Sequence, residues 1–177
     1  MRMEFFSRKT TNGGSDDDEH TRSTEASLTV TSVPMRHWSV RTTDRDKTLW
    51  CGYSVAAATT NTATTGGRKK FLFPGDTAWF DGLHELATQY GPWDVAAIPI
   101  GAYEPRSFMK DNHINVEEAV SMKDAVQAKS AVPIHWKSFS LTSEPVLEPR
   151  EKLVEIMAGR PDAKTFVPWL IGETKHF

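Results

Sequence analysis

Three residues of metal-ligand type stand at comparable places along the chain. His37 follows a β-prone run that ends at Val33, Asp76 follows the apolar residues 71–73, and His135 directly follows residues 131–134. Imidazole nitrogen and carboxylate oxygen together suit zinc, which takes both readily. If the three strands share one direction, their carboxyl ends meet on one rim, the place where α/β sheets gather ligands. Gly75 would let the backbone turn sharply and bring the Asp76 carboxylate to a metal. Trp38 and Trp136 each follow a histidine and would wall the pocket. Taken singly, each residue also has an ordinary role. A histidine ending a strand is more often a hydrogen-bonded structural residue, and an aspartate in Gly-Asp-Thr is more often a turn or a helix cap.

The elements that must position these residues read as an alternation of strands and helices. Leu28, Val30 and Val33 lie among Thr29, Thr31 and Ser32, a β-prone run closed by Pro34, and residues 49–55 form a second strand candidate. Residues 56–70, rich in Ala, Thr and Gly, read as a loose connection. From residue 71 the pattern is regular. A strand over 71–73 precedes a helix over 81–90 with Leu83, Leu86, Ala87 and Tyr90 on one face, ended by Gly91 and Pro92. Residues 95–100 are a near-continuous apolar strand, as expected for one covered on both faces. Asn115 with Glu118 has the form of a capping box, and the helix it opens is expected to run through Lys129. A strand over 131–134, a helix over 150–158 that buries Leu153, Ile156 and Met157 and stops at Gly159, and a strand over 166–171 complete the series. The expected fold class is therefore α/β and layered. Residues 1–27 read as a disordered lead-in, since residues 7–26 are polar and unpatterned with an acidic run from Asp16 to Glu19.

Composition narrows the function classes without naming one. The chain has 177 residues, 38% hydrophobic and 25% charged, enough for one domain with a real core. A formal net charge of -2 supplies no overall basic field for a phosphate backbone, so nucleic acid is not an expected partner. The lone Cys51 excludes an intramolecular disulfide and a thiolate zinc cluster, and fits a reducing, intracellular compartment. The longest apolar stretches fall far short of the roughly 20 residues needed to cross a bilayer, so membrane contact is expected to be peripheral. No apolar core of signal-peptide length follows the first nine residues.

Longer motifs add a resemblance. Phe73-Pro74-Gly75-Asp76-Thr77, the run Trp93-Asp94-Val95-Ala96-Ala97-Ile98-Pro99-Ile100-Gly101-Ala102-Tyr103-Glu104-Pro105-Arg106, and Ile134-His135-Trp136 resemble the N-acyl-phosphatidylethanolamine-hydrolysing phospholipase D branch of the metallo-β-lactamase superfamily. Pro34-Met35-Arg36-His37-Trp38, Leu49-Trp50 and Leu147-Glu148-Pro149 extend it, so it covers about residue 28 to the carboxyl end. The fold it implies is an αβ/βα sandwich, of which these residues match the second half. It implies a site with two zinc ions: His37 a ligand of one, His135 a ligand of the other, and Asp76 bridging both. His113 matches a histidine facing the lipid phosphate, and Asn112 stands where the family usually has Gln. Asp76 and His113 are thus the candidate catalytic residues, and Asn112 with His113 the candidate substrate contacts. His113 could also be a solvated residue before its helix, and His84 and His176 match no family site. Tyr103, Glu104 and Arg106 could anchor a substrate channel, although a buried Arg–Glu pair holding a loop is the preferred reading.

The implied chemistry is metal-assisted attack of water on a phosphodiester, releasing an N-acylethanolamine and phosphatidic acid. One departure is decisive. The superfamily motif His-x-His-x-Asp-His, which supplies two ligands to each zinc, occurs nowhere in the sequence. Two protein ligands per ion remain, so weak or partial zinc occupancy is expected. Three readings follow: a truncated phospholipase D that is not competent alone, another phosphodiester hydrolase on the same fold completed by a partner chain, or a non-catalytic interaction module. In each, a second copy or a partner would cover an open sheet face.

Overall fold

Alternation along the strands decides which residues face the core. In β6 only Leu72 is fully buried, with Phe71 and Phe73 turned to the opposite face, the period of 2 expected of a strand covered on one side. The computed structural model describes residues 2–7, 26–41, 43–46, 50–59, 68–170 and 172–177. In chain order its elements are β1 (Arg2–Ser7), β2 (Ala26–Pro34), β3 (Val40–Arg41), β4 (Asp44–Arg45), β5 (Cys51–Thr59), β6 (Lys69–Phe73), α1 (Gly82–Tyr90), β7 (Trp93–Pro99), α2 (Arg106–Met109), α3 (Val116–Ala125), β8 (Ala128–Ile134) and α4 (Glu148–Ala158). A single 3-10 turn, Ala163–Thr165, follows α4.

The main sheet has the order β1-β2-β5-β6-β7-β8, and β3 with β4 forms a separate small ribbon. β1, β2, β5 and β6 pair antiparallel, whereas β6, β7 and β8 pair parallel. α3 lies against β7 and β8, with α1 and α4 packed on α3. The core between helices and sheet holds Leu72, Leu83, Ile98, Met122, Leu153 and Phe166, all fully buried. The expected α/β layering is therefore present, and the buried faces of α1 and α4 are those read from the sequence. Asn115 closes the anticipated capping box, accepting from the Glu118 amide at 2.8 Å while Glu118 Oε2 accepts from the Asn115 amide at 2.9 Å.

Three expectations require correction. The helix opened by Asn115 stops at Ala125 rather than Lys129, because Gln127 takes a left-handed backbone (φ 55°) that turns the chain into β8. The strand expected over 166–171 is reduced to one parallel bridge between Ala131 and Phe166. Pro168 in its middle lacks the amide a ladder requires. Residues 2–7, placed in the disordered lead-in, form β1, and Ala26 and Ser27 already belong to β2. The edge of β2 supplies the pairing that sequence alone could not show. The rest of the lead-in, residues 8–25, lies outside the described residues.

The sheet face away from the helices is partly open. Tyr53, Phe71 and Phe73 are 42%, 37% and 42% exposed. Beside them the carboxyl-terminal stretch brings Trp169 and Phe177, stacked with ring centroids 5.5 Å apart, over Val55, Phe71, Val95 and Val132. Among the described residues, no helix is long and apolar enough to cross a membrane.

Candidate metal centre

Two antiparallel steps relate β2 to β6, so β2 runs in the same direction as β6, β7 and β8. Their carboxyl ends share a rim, and the loops that leave them carry His37, Asp76 and His135. Gly75 has φ 69°, and a β-carbon there would meet no other atom within 4 Å. Its glycine is required by the left-handed turn and not by space. That turn presents Asp76. His135 itself adopts φ 60°, an uncommon conformation for a side-chain-bearing residue, which ends β8 abruptly.

The rim brings four donors together. His135 Nε2 lies 3.3 Å from Asp76 Oδ1, and His37 Nε2 lies 3.3 Å from His113 Nε2. Ligand atoms of His37, Asp76 and His113 all fall within 4.8 Å of one another. His113 is flanked on both sides, its ring centroid 5.2 Å from that of His37 and 5.2 Å from that of His135. Asn112, beside it, is buried. Trp136 packs against the core next to His135, and Trp38 contacts His37 and Phe108 edge to face. His84 and His176 are exposed and stand apart from this cluster.

The electrostatics suit a cation. The hydrogen bond with His135 holds the Asp76 carboxyl below its ordinary range, burial opposes this, and the three imidazoles favour the anion further. The same bond to Asp76 raises His135 against the effect of burial. Burial pushes His113 down to about 4, overcoming the pull of Asp76, so its ring is neutral at neutral pH. His37 donates from Nδ1 to the Trp38 carbonyl at 2.9 Å, which fixes its tautomer and points the Nε2 lone pair into the cluster. Imidazole lone pairs around an ionised carboxylate are a donor set that fits a divalent metal.

Residues 7–136 match the β-lactamase superfamily domain. The chain belongs to that superfamily. An N-acyl-phosphatidylethanolamine-hydrolyzing phospholipase D from Caenorhabditis elegans is 41% identical over 82% of this chain and 40% of its own length. A mitochondrial protein of the same name from Saccharomyces cerevisiae is 31% identical over 84% of the chain and 31% of its own. The chain thus spans two fifths or less of the length of these superfamily relatives. An isothiocyanate hydrolase from Delia radicum gut bacteria superposes with a TM-score of 0.57 at 17% identity, over 85% of this chain and 54% of its own. That likeness shows the fold alone.

The loops of this cluster are held by residues that the sequence does not single out. Thr77 ties three loops together. Its hydroxyl accepts from the Arg36 amide at 3.1 Å and donates to the Ala78 carbonyl at 3.0 Å, while its own carbonyl accepts from Ile114 at 2.9 Å. The loops of His37, Asp76 and His113 are thereby fixed to one fully buried residue. Thr77→Val keeps the shape and removes the hydroxyl, and is expected to destabilise the fold by about 1–3 kcal/mol. Urea unfolding measures it, and a change below about 0.5 kcal/mol would remove Thr77 from this role. Arg106 braces His113 from the other side, donating to its carbonyl at 2.8 Å and forking Glu118 at 2.9 and 2.8 Å. The buried pair anticipated between Arg106 and Glu104 is therefore corrected: the guanidinium pairs with Glu118, and that pair is only partly buried. Glu104 instead accepts from the Arg106 amide at 2.9 Å. The Tyr103 hydroxyl donates to Glu148 at 2.8 Å.

Glu144 is the second residue that sequence reading passed over. Its carboxylate accepts from the amides of Ala102, Tyr103 and Glu104 at 2.7, 3.3 and 3.1 Å, and from the Thr142 hydroxyl. It helps to line a cavity of roughly 360 Å³ next to His135, with apolar walls from Trp136, Phe139, Leu141 and Val146. Burial raises the Glu144 carboxyl, but Thr142 and the backbone amides outweigh it, and the net shift is downward. A carboxyl depressed in the folded state contributes stability that is present above its unfolded pKa, near 4.3, and is lost as pH falls through the folded value. Glu144→Gln should therefore lower stability at pH 7 and flatten the decline below about pH 4.5. Unfolding curves of the two proteins that stay parallel from pH 7 to pH 3 would contradict this.

Proposed function

We propose that this chain is part of a zinc-dependent hydrolase of the phospholipase D type, acting on N-acyl-phosphatidylethanolamine to give an N-acylethanolamine and phosphatidic acid. The observation that carries the reading is the convergence of His37, Asp76, His113 and His135 on one rim beside an apolar cavity. The likeness to worm and yeast proteins named for that reaction supports the choice of substrate. Zinc bound at such a rim would supply a lowered pKa for water and neutralisation of phosphate charge. His37, Asp76 and His135 would hold the ions, two in the complete site. Asn112 and His113 would meet the phosphate. The apolar side chains Trp136, Phe139, Leu141 and Val146 would receive hydrocarbon and exclude water, which makes peripheral contact with a membrane part of the proposal.

These 177 residues contain no His-x-His-x-Asp-His sequence. On that ligand set either ion would have fewer than the three protein ligands usual for catalytic zinc. The purified chain alone is expected to show no robust turnover, even with zinc added. The open face of Tyr53, Phe71 and Phe73 offers a surface for a second copy or a partner chain. The test is N-acylethanolamine release from N-acyl-phosphatidylethanolamine in mixed micelles, with monodisperse, metal-saturated protein. Turnover abolished both by chelator and by Asp76→Asn would refute the claim of incompetence.

A further inference from the structure

We propose that Lys137 is an anion-binding residue of the cavity beside His135, and that it selects an amphiphile whose phosphate it holds while the hydrocarbon lies against Phe139, Leu141 and Val146. This deepens the proposed function, on which it rests, by naming a side chain of this protein that reads the charge of the substrate without the help of metal.

The first observation is where uncommon backbone conformations gather. Among the described residues, five that carry a side chain take positive φ, and three of these line the one cavity: Ala102 (φ 61°), His135 (φ 60°) and Lys137 (φ 68°). A left-handed backbone is disfavoured for a residue with a β-carbon, and such residues collect at ligand sites, where the surrounding structure holds them. Two of the three have a packing reason. The Ala102 amide is bound by Glu144, and the His135 carbonyl lies against Gly101. Lys137 is exposed beyond the end of β8, where glycine would make the same turn without strain. The lysine is therefore not there to serve the turn.

The second observation is an unspent charge. Lys137 is the one lysine or arginine among the described residues lining the cavity, and Glu144 is the one carboxylate. The two do not pair. Glu144 Oε1 accepts from the Ala102 and Tyr103 amides, and Oε2 from the Glu104 amide and the Thr142 hydroxyl. A carboxylate has about four acceptor sites, so these bonds leave none for an ammonium. Among the described residues, Lys137 has no hydrogen-bond or ion-pair partner. Its three N–H donors are free for a ligand.

The wall beside this cation sets the class of that ligand. Phe139, Leu141 and Val146 offer apolar surface that an inorganic ion would leave uncovered. Hydrocarbon joined to an anionic group meets both. Phosphate suits the anionic end, because its several oxygens can face Lys137 and the His135 rim together.

The test measures binding to the full chain with chelator present, so that no metal can hold the phosphate. The probes are decyl phosphate below its micellar concentration, decanol and inorganic phosphate, followed by calorimetry and tryptophan fluorescence. Decyl phosphate is expected to bind about 10-fold more tightly than decanol, as one charge-assisted contact would give, and inorganic phosphate far more weakly than either. Lys137→Gln should abolish the preference for the phosphate, Lys137→Arg should keep it, and raised salt should shrink it in the wild type. Leu141→Ser should weaken decyl phosphate and decanol alike, which places both in this cavity and not on the open sheet face. Lys137→Gly should lose the preference and yet melt about 2 °C higher, since the strained turn is relieved. Decyl phosphate bound equally by wild type and Lys137→Gln would overturn the proposal, as would inorganic phosphate binding as tightly as decyl phosphate. Lys137→Gly melting below the wild type would overturn it too, by showing that the lysine serves the fold. None of these results depends on turnover or zinc, so the hydrolase reading stands or falls separately, by the micelle assay above.

Discussion

Replacing Gly101 with alanine is expected to be among the most damaging single substitutions in the protein. A β-carbon there would sit 2.2 Å from the His135 carbonyl oxygen, far inside contact distance. Neither backbone is free to withdraw. The Ile100 amide donates to the Ile134 carbonyl at 3.0 Å, and Pro99 pairs with Ile134 in the ladder between β7 and β8. Overpacking against a flexible side chain typically costs about 1–3 kcal/mol, and a clash with fixed backbone exceeds that, so a loss of about 4 kcal/mol or more is expected. Because the atom struck belongs to His135, the chain should also lose its grip on metal. Urea unfolding and a zinc titration measure the two effects. A variant within about 1 kcal/mol of wild type would show that the two strand ends separate easily.

The second large effect is expected at Asp76→Asn. This substitution keeps the side chain's size and removes its charge. Asp76 is the one carboxylate of the donor cluster and the hydrogen-bond partner of His135. A ligand that binds only the folded state stabilises it by RT ln(1 + [L]/Kd), about 2.7 kcal/mol at a hundredfold excess over Kd. Zinc should therefore raise the melting temperature of the wild-type chain and leave that of Asp76→Asn unchanged. His135 loses its anionic partner in the variant, and its raised pKa should return toward the ordinary histidine value. Equal zinc-induced stabilisation of both proteins would remove Asp76 from the centre.

The parts of the site legible in the sequence were those set by local chemistry. Gly75 before Asp76 announced its left-handed turn because few other residues adopt one without strain. Asn115 and Glu118 announced their capping box through a fixed spacing of three. The common rim of His37, Asp76 and His135 followed from each residue's place after a strand, given parallel β2, β6 and β8. Strand direction, however, is a property of the whole sheet, and only the pairing of β5 between β2 and β6 settles it. Thr77 and Glu144 were missed for a related reason. Each acts on backbone about 40 positions away, so nothing near it in sequence marks the role. His113 was noticed, but its proximity to His37 spans 76 positions and depends on the Arg106–Glu118 fork. The apolar character of residues 166–171 suggests a strand, but Pro168 has no amide to give a ladder and only one bridge forms.

The wide spacing of the donors also bears on how the protein acquires its fold. Contacts between distant parts of a chain form slowly, because loop closure must be completed before they add stability. The His37–His113 contact requires β2, β5, β6 and the α2–α3 turn to be in their final register, so no partly folded chain can present it. Metal capture should consequently come last in refolding. A cobalt colour that develops only after tryptophan fluorescence has reached its native value would time the closing step directly, and the same colour would fade first when the sheet begins to open.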